Sequence, residues 1–583
     1  MSAKLYRPFD TSLVIPDNGL RQSYRLVQPL IEYAFGFHEI QKIYNFAKGR
    51  PPAEFAQRCL DYNRVCWSMT EEDLAQLQAI NGPLVINCNH PFGGADALSL
   101  IPLMEKLRPG GWRLFANFAV CRIPELRPYS IPVDPLGGKK ALSQNRQGMA
   151  QGLRFLREGG LLASFSAGRV SHLDPESHAP VDRAWTGHTY RLAESAGATI
   201  VTLHIPGQNS DRFLKVPPRW SRLRALMLCH EICHPTTEKV QLRLAEVIKA
   251  EDVTKLGRSK NPSARLRAHC FLRADEDLPR PATRQGGADS APSSEPAENL
   301  ADVFGEFARA SSILKISGRD VLLFQGSDAP AAVMNEIGRC REITFRAAGQ
   351  GVGSNLDLTP EDPYYHHLVV WDQSTRELVG AYRMGKVQDI MAALGPQGLY
   401  LDHVFKIDPT LYQKIGNAFE LSRSFIVPKF QRDNRALGAL WRGLGEGAKR
   451  HQCGTFFGSV TISNDHHPAS RAILVEHLRR NYGDDEEFTA LVRARNPFHP
   501  STRYHRLVGQ AYEKEKIDAL APLIERIENQ QRGIPPLMRY YCTLGAKFLA
   551  YHVEPTFRDA LYCLLRVDLQ TIEQRYRRRF LGT

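Results

Sequence analysis

Residues Asn89-His90-Pro91-Phe92-Gly93-Gly94-Ala95-Asp96 place an imidazole and a carboxylate on one short stretch with two adjacent glycines between them. An imidazole takes a proton from a hydroxyl, and a carboxylate on its other nitrogen fixes the tautomer and stabilises the developing charge. Glycine lets the backbone fold the two side chains together. The chemistry this pair supports is general-base activation of an alcohol, with His90 as base and Asp96 as its partner. The purely structural alternative is a capped helix start with Asp96 in the first turn. A second set is Glu420-Leu421-Ser422-Arg423. An amine attacks an acyl carbon only when neutral, so its site needs a group that accepts the proton. Glu420 is the candidate base. Arg423 either positions an acceptor carboxylate or holds Glu420 in place, and Arg383 and Asp402 are further candidates of the same kind. The structural alternative here is a buried strand-end ion pair.

Both sets fall at the ends of apolar runs. Leu84 to Cys88 reads as a strand leading into the His90 turn, and Ala97 to Leu107 as the helix that follows. Arg113 to Phe118, Leu161 to Phe165 and Thr199 to Ile205 read as further strands, with a helix over Leu142 to Glu158. That alternation predicts a sheet covered by helices. In the second half, strands are predicted at His367 to Trp371, Leu378 to Met384, Gly398 to Val404, Glu420 to Val427 and Thr455 to Thr461, with a helix from about Arg435 to Arg450. Strand, polar turn and helix N-terminus in that order can hold a phosphate, and Gln431 and Arg435 lie in that turn.

The chain has 583 residues, which exceeds one hydrophobic core and predicts several domains. Pro279 to Glu298 is rich in proline, glycine and serine and reads as a flexible linker between a unit at 1–278 and one at 299–583. A net charge of +13 favours phosphate-bearing or acidic partners. No aromatic-basic pattern for nucleic acid accompanies it. Eleven scattered cysteines suit a reducing compartment, and no apolar run is long enough for a signal peptide or a membrane span. The expected location is the cytoplasm, against the inner face of the cell membrane. Cys229-His230-Glu231-Ile232-Cys233-His234 packs four ligand types together but lacks a partner cluster, so no metal site is expected.

The His90–Asp96 stretch resembles the His-and-Asp motif of the glycerolipid acyltransferases, the lysophosphatidate acyltransferase-like superfamily, in its HPxGGxD variant with one extra residue. Ala116-Asn117-Phe118 with Arg122-Ile123-Pro124, Phe165-Ser166-Ala167-Gly168-Arg169-Val170-Ser171 and Ile200 to Gly207 are similar to its later blocks, in order. The resemblance implies direct O-acyl transfer from a thioester, with Arg122, Ser166, Gly168 and Arg169 contacting substrate. Ser166 and Arg169 depart from the FPAGEVS form of the third block. The second half resembles the GNAT superfamily, in the branch that N-acylates ornithine, and Glu420 to Arg423 also resembles the acyl-homoserine-lactone synthases. That resemblance implies substrate contacts at Arg383, Gln431 and Arg435, although Asn434 and Ala436 occupy the glycine positions of the usual phosphate loop.

The expected fold class is therefore α/β: a glycerolipid-acyltransferase-like domain, a flexible linker, and a GNAT-like mixed-sheet domain. The domain order resembles the bifunctional ornithine lipid synthases. It implies N-acylation of ornithine with a 3-hydroxyacyl group and then O-acylation of the lyso-lipid hydroxyl. No bound cofactor is implied. The acyl donor is acyl carrier protein or coenzyme A thioester, and the partners are acyl carrier protein, ornithine or another amine, a lyso-lipid acceptor and an anionic membrane surface. Two alternatives stay open at this point: a lysophospholipid O-acyltransferase whose GNAT-like domain serves another amine such as glycine, and a non-catalytic membrane- or carrier-binding scaffold.

Overall fold

A computed structural model describes residues 21–134, 139–281, 299–348, 351 and 353–582. All but the first three residues of the expected linker at 279–298 lie outside this range. The chain forms two compact units, one comprising Met1–Leu278 with Thr502–Tyr512 and the other Pro279–Ser501 with Glu513–Thr583.

After a helix at Arg21–Ala34, the first unit continues with helices α1 (Phe37–Ala47) and α2 (Pro52–Tyr62), which pack on the face of a six-stranded sheet. Its strands are β1 (Leu84–Cys88), β2 (Trp112–Ala116), β3 (Ser130–Pro132), β4 (Leu161–Ser164), β5 (Thr199–His204) and β6 (Arg243–Ile248), in the order β6-β5-β1-β4-β2-β3. All neighbours are parallel except β6 with β5. Every residue of β1 is buried, as expected of a central parallel strand covered on both faces. Helix α3 (Gly94–Leu107) follows β1, and α4 (Ser221–Cys233) lies against it. In open parallel sheets, ligand sites form beyond the carboxyl ends of the strands. The loops carrying His90, Ser166 and Pro206 all leave from that edge.

The second unit holds an eight-stranded sheet. Its strands are β7 (Ser312–Ile316), β8 (Arg319–Gln325), β9 (His366–Asp372), β10 (Glu377–Lys386), β11 (Ala418–Ile426), β12 (Thr455–Ile462), β13 (Lys547–Glu554) and β14 (Ala560–Asp568). They run in the order β7-β8-β9-β10-β11-β12-β14-β13. Helices α5 (Ala331–Ala347) and α7 (Asn434–Arg450) pack on it, and the short helix α6 (Tyr400–Val404) precedes β11. Neighbouring strands are antiparallel except β11 and β12. That parallel ladder joins only Ala418–Leu421 to Thr455–Gly458, although both strands continue. Beyond Leu421 and Gly458 they cease to pair.

One element differs from the sequence expectation. Gly398 to Val404 reads as a strand, yet it forms a 3-10 turn and then α6. The first helical N–H groups, of Tyr400 and Leu401, donate to the Glu420 carboxylate, which gives this apolar run a helical start.

Three buried histidines make stability depend on pH. Burial pushes His204 down to about 3, and His367 and His477 each to about 4. An unfolded chain binds these protons near pH 6.5. Because the folded values are lowered, the unfolded state holds more protons as pH falls below about 6.5, and folding stability falls with it. The loss is about 1.4 kcal/mol per pH unit for each group. The melting temperature is expected to drop between pH 7 and pH 5, more steeply for the second unit, which holds two of the three. A melting temperature constant over that range would contradict this.

Candidate functional site

In the first unit, β1 ends at Cys88 and the chain turns at Gly93, whose φ of 86° lies in the left-handed region. A Cβ on Gly93 would meet Leu228 at 2.7 Å, and one on Gly94 would meet Ile232 at 2.7 Å, so both glycines admit α4 against the turn. His90 Nδ1 lies 2.9 Å from Asp96 Oδ2. The same oxygen accepts the backbone N–H groups of Phe92 and Gly93 at 2.9 and 2.8 Å. Asp96 is fully buried, and the His90 ring stacks on Phe165 with centroids 4.1 Å apart. The His90 side chain is 16% exposed. With Nδ1 committed to a carboxylate, the proton-accepting nitrogen is Nε2.

An apolar cavity of about 570 Å³ adjoins this turn. Phe37, Phe55, Leu98 and Ile101 form part of its wall, and Gly93 and Gly94 line it directly. Arg169 and Arg183 supply a basic margin. Burial and the neighbouring Arg183 lower Arg169 below the ordinary arginine value.

The expected substrate contacts distribute unevenly. Gly168 and Arg169 line the cavity, and Gly168 takes a φ of 64°. Ser166 turns inward: it is buried, with its hydroxyl donating to Asn87 at 2.8 Å and paired with Thr189. The only polar atom of its side chain is thus engaged inside the unit. Arg122 ends the one-turn helix Val120–Arg122, whose neighbours Val120 and Ile123 line the cavity.

In the second unit, Glu420 is completely buried. Its Oε1 accepts the Leu401 N–H at 2.7 Å, and its Oε2 accepts the Tyr400 N–H at 3.1 Å and the Tyr365 hydroxyl. Burial pushes the Glu420 carboxyl up against the hydrogen bonds that pull it down. Arg423 does not hold Glu420. It sits 3.1 Å from the Asp357 carboxylate and stacks over the Tyr400 ring, 4.7 Å from its centroid. Its φ of 50° marks a bulge opposite β10, where Arg383 pairs Ser422 and Ala381 pairs Phe425. Arg383 is buried, donates to Ser422 Oγ at 3.0 Å and Thr359 Oγ1 at 3.2 Å, and lies over the Tyr365 ring. Although burial opposes it, the guanidiniums of Arg341 and Arg383 hold the Asp362 carboxyl well below the usual range. Asp402, half-buried on α6, is pushed up by burial.

The turn before α7 is closed by the chain's own carboxylate. Asp433 accepts the Arg435 N–H at 2.9 Å and pairs with Arg435 at 3.0 Å and Arg319 at 2.7 Å. Gln431 is exposed and donates to the Ile426 carbonyl at 3.1 Å. A thioester phosphate at this helix start therefore meets Asp433 as a competitor for Arg435. The buried partners Asp357, Asp362 and Tyr365 carry no spacing signal in the sequence.

The acetyltransferase (GNAT) domain family matches residues 340–442, a span that includes β9, β10, β11 and the Glu420–Arg423 segment. Two relatives are named glycine N(alpha)-acyltransferase. The one from Bacteroides thetaiotaomicron is 31% identical over 242 residues, covering 39% of this chain and 70% of that protein. The one from Phocaeicola vulgatus is 30% identical over 242 residues, covering 39% and 73%. Among solved structures, the crystal structure of the AHL synthase LasI aligns with a TM-score of 0.24 and 10% identity, over 45% of this chain and 95% of that one. The domain match and the mixed sheet define an acyltransferase of GNAT type. The chain belongs to the N-acyltransferase family of these two relatives.

Proposed function

We propose that this chain makes an acylated amino-acid lipid in two steps, N-acylating the α-amine of ornithine with a 3-hydroxyacyl thioester and then O-acylating the new hydroxyl. The observation that carries the reading is one chain holding a GNAT acyltransferase domain and, in its other unit, a His90–Asp96 pair at 2.9 Å beside an apolar cavity. For the first step, the point where β11 and β12 part leaves strand edges that an amide-bearing thioester arm could use as a β-strand partner. The 3-hydroxyacyl group would come from acyl carrier protein or coenzyme A. Glu420, buried with both oxygens bonded, anchors α6 and Tyr400 rather than receiving the proton; Asp402 on the same helix keeps exposure and is the acceptor we assign. Arg423, fixed by Asp357, faces the acceptor carboxylate. In the second step His90 Nε2 takes the hydroxyl proton while Asp96 stabilises the imidazolium. The acyl carbon gains the alkoxide and releases thiolate, which takes the proton from the His90 imidazolium to leave as thiol, and a cavity of this size and polarity suits a lipid chain.

Glycine is the second reading for the amine, favoured by the printed names of the two relatives. Purified full-length protein given a 3-hydroxyacyl thioester and isotope-labelled ornithine or glycine should form an N-acyl product from ornithine in preference. Preference for glycine would move the acceptor to the second reading, and no product from either would overturn amino-acid N-acylation. No helix among the described residues is long and apolar enough to cross a membrane. We propose that the protein meets its lipid substrate at the cytoplasmic membrane surface.

A further inference from the structure

His90 is held by its backbone as well as by its ring. A two-stranded hairpin pairs His172 with Val181 and Leu173 with Pro180. The residues just beyond its open end, Ser171 and Asp182, both close on His90. The Ser171 N–H donates to the His90 carbonyl at 2.9 Å, and the His90 N–H donates to Asp182 Oδ1 at 3.2 Å. The same Oδ1 accepts the Ser171 hydroxyl at 2.6 Å, and Oδ2 accepts Trp185 Nε1–H at 2.9 Å. Asp182 is fully buried. Burial pushes the Asp182 carboxyl up, while all three groups that meet it are donors, which favour the ionised form. Val181, within the hairpin, packs with Ala179, Phe271 and Tyr504 in one cluster.

We propose that Asp182 is a positioning residue for O-acyl transfer: with Ser171 it clasps the His90 backbone so that Nε2 points at the acceptor hydroxyl. The proposal rests on the reading of His90 as the base. The charged groups around the clasp are Asp96, from α3, Arg224, from α4, whose guanidinium bonds the Ser171 carbonyl at 2.8 Å, and Arg267, whose guanidinium bonds the Asp182 carbonyl and feels its carboxylate. The nearby thiols Cys88 and Cys270 are pushed well up by burial and carry no charge at neutral pH. Asp182 therefore places a second carboxylate on His90, bound through the backbone N–H rather than through the ring nitrogen that Asp96 holds.

Asp182→Asn keeps an oxygen for His90 and Ser171 but turns its amide N–H toward Trp185 Nε1–H, donor against donor. In the full-length enzyme this variant should lower kcat for O-acylation at least about ten-fold with KM for the lyso-lipid within about two-fold, while N-acylation stays within about two-fold. A readout independent of turnover is the pH dependence of His90 carbethoxylation by diethyl pyrocarbonate, mapped by peptide mass spectrometry. Removing the charge should move its midpoint down by about half to one pH unit. Ser171→Ala, which keeps the charge, should lower O-acylation several-fold and leave the midpoint in place. Unchanged O-acylation and an unchanged midpoint in Asp182→Asn would overturn the proposal. If His90→Ala retained O-acylation, the base reading would fail on its own, and the carbethoxylation midpoint would still decide whether Asp182 acts on His90.

Discussion

His90→Ala should leave N-acylation intact and stop the chain at a mono-acylated product, with O-acylation reduced about 10²- to 10⁴-fold, the usual contribution of a positioned general base. The expectation follows from geometry. Nδ1 is tied to the buried Asp96 carboxylate at 2.9 Å, the ring face is packed on Phe165, and Nε2 is the nitrogen left to accept a proton. Asp96→Asn should reproduce most of the loss, because an amide in that position presents a donor to Nδ1 or to the Phe92 and Gly93 N–H groups. Mass spectrometry of the products reads both steps in one sample. A fall in mono-acylated product equal to the fall in diacylated product would contradict the assignment, since it would place His90 upstream of both transfers.

Glu420→Gln should abolish N-acylation and also lower the melting temperature of the second unit by about 5–10 °C. Three donors converge on this fully buried carboxylate: the N–H groups of Tyr400 and Leu401 and the Tyr365 hydroxyl. A glutamine offers one oxygen, so at least one donor faces an amide N–H, and each buried group left unpaired costs about 1–3 kcal/mol. In a domain of this size about 1 kcal/mol shifts the midpoint by about 2–4 °C. Loss of the anchor releases α6 and with it Tyr400 and Asp402. Asp402→Asn should instead lose N-acylation with the melting temperature unchanged. Activity lost in Glu420→Gln with no change in melting would make Glu420 the base and remove Asp402 from that role.

The parts of the fold written in local pattern were legible in the sequence. The apolar run Leu84–Cys88 is a strand to the residue, and the helix expected from Arg435 to Arg450 begins one residue earlier, at Asn434. The His90 and Asp96 side chains meet because the residues that join them lie on one turn with a glycine, Gly93, where the backbone takes a positive φ. What escaped depends on partners far away in sequence. Asp182 reaches the His90 N–H from ninety-two positions on, and Asp357 meets Arg423 across sixty-six. No spacing rule carries such contacts. Gly398 to Val404 misled for a related reason: a short segment of mostly apolar residues reads as a strand, and the carboxylate that makes it a helix lies on β11. Likewise, Thr502–Tyr512 joins the first unit through Asp275, which accepts the N–H groups of Arg503 and Tyr504 at 2.9 and 2.8 Å.

The central claim is that one chain performs two acylations in order. It is tested most directly by expressing the full-length protein in a bacterium that makes no amino-acid lipids and measuring the lipid extract by tandem mass spectrometry. The account predicts a new diacylated ornithine lipid, replaced by its mono-acylated form when His90 is alanine. An extract with no new amino-acid lipid, with ornithine, glycine and the 3-hydroxyacyl donor confirmed present and the protein intact, would contradict it.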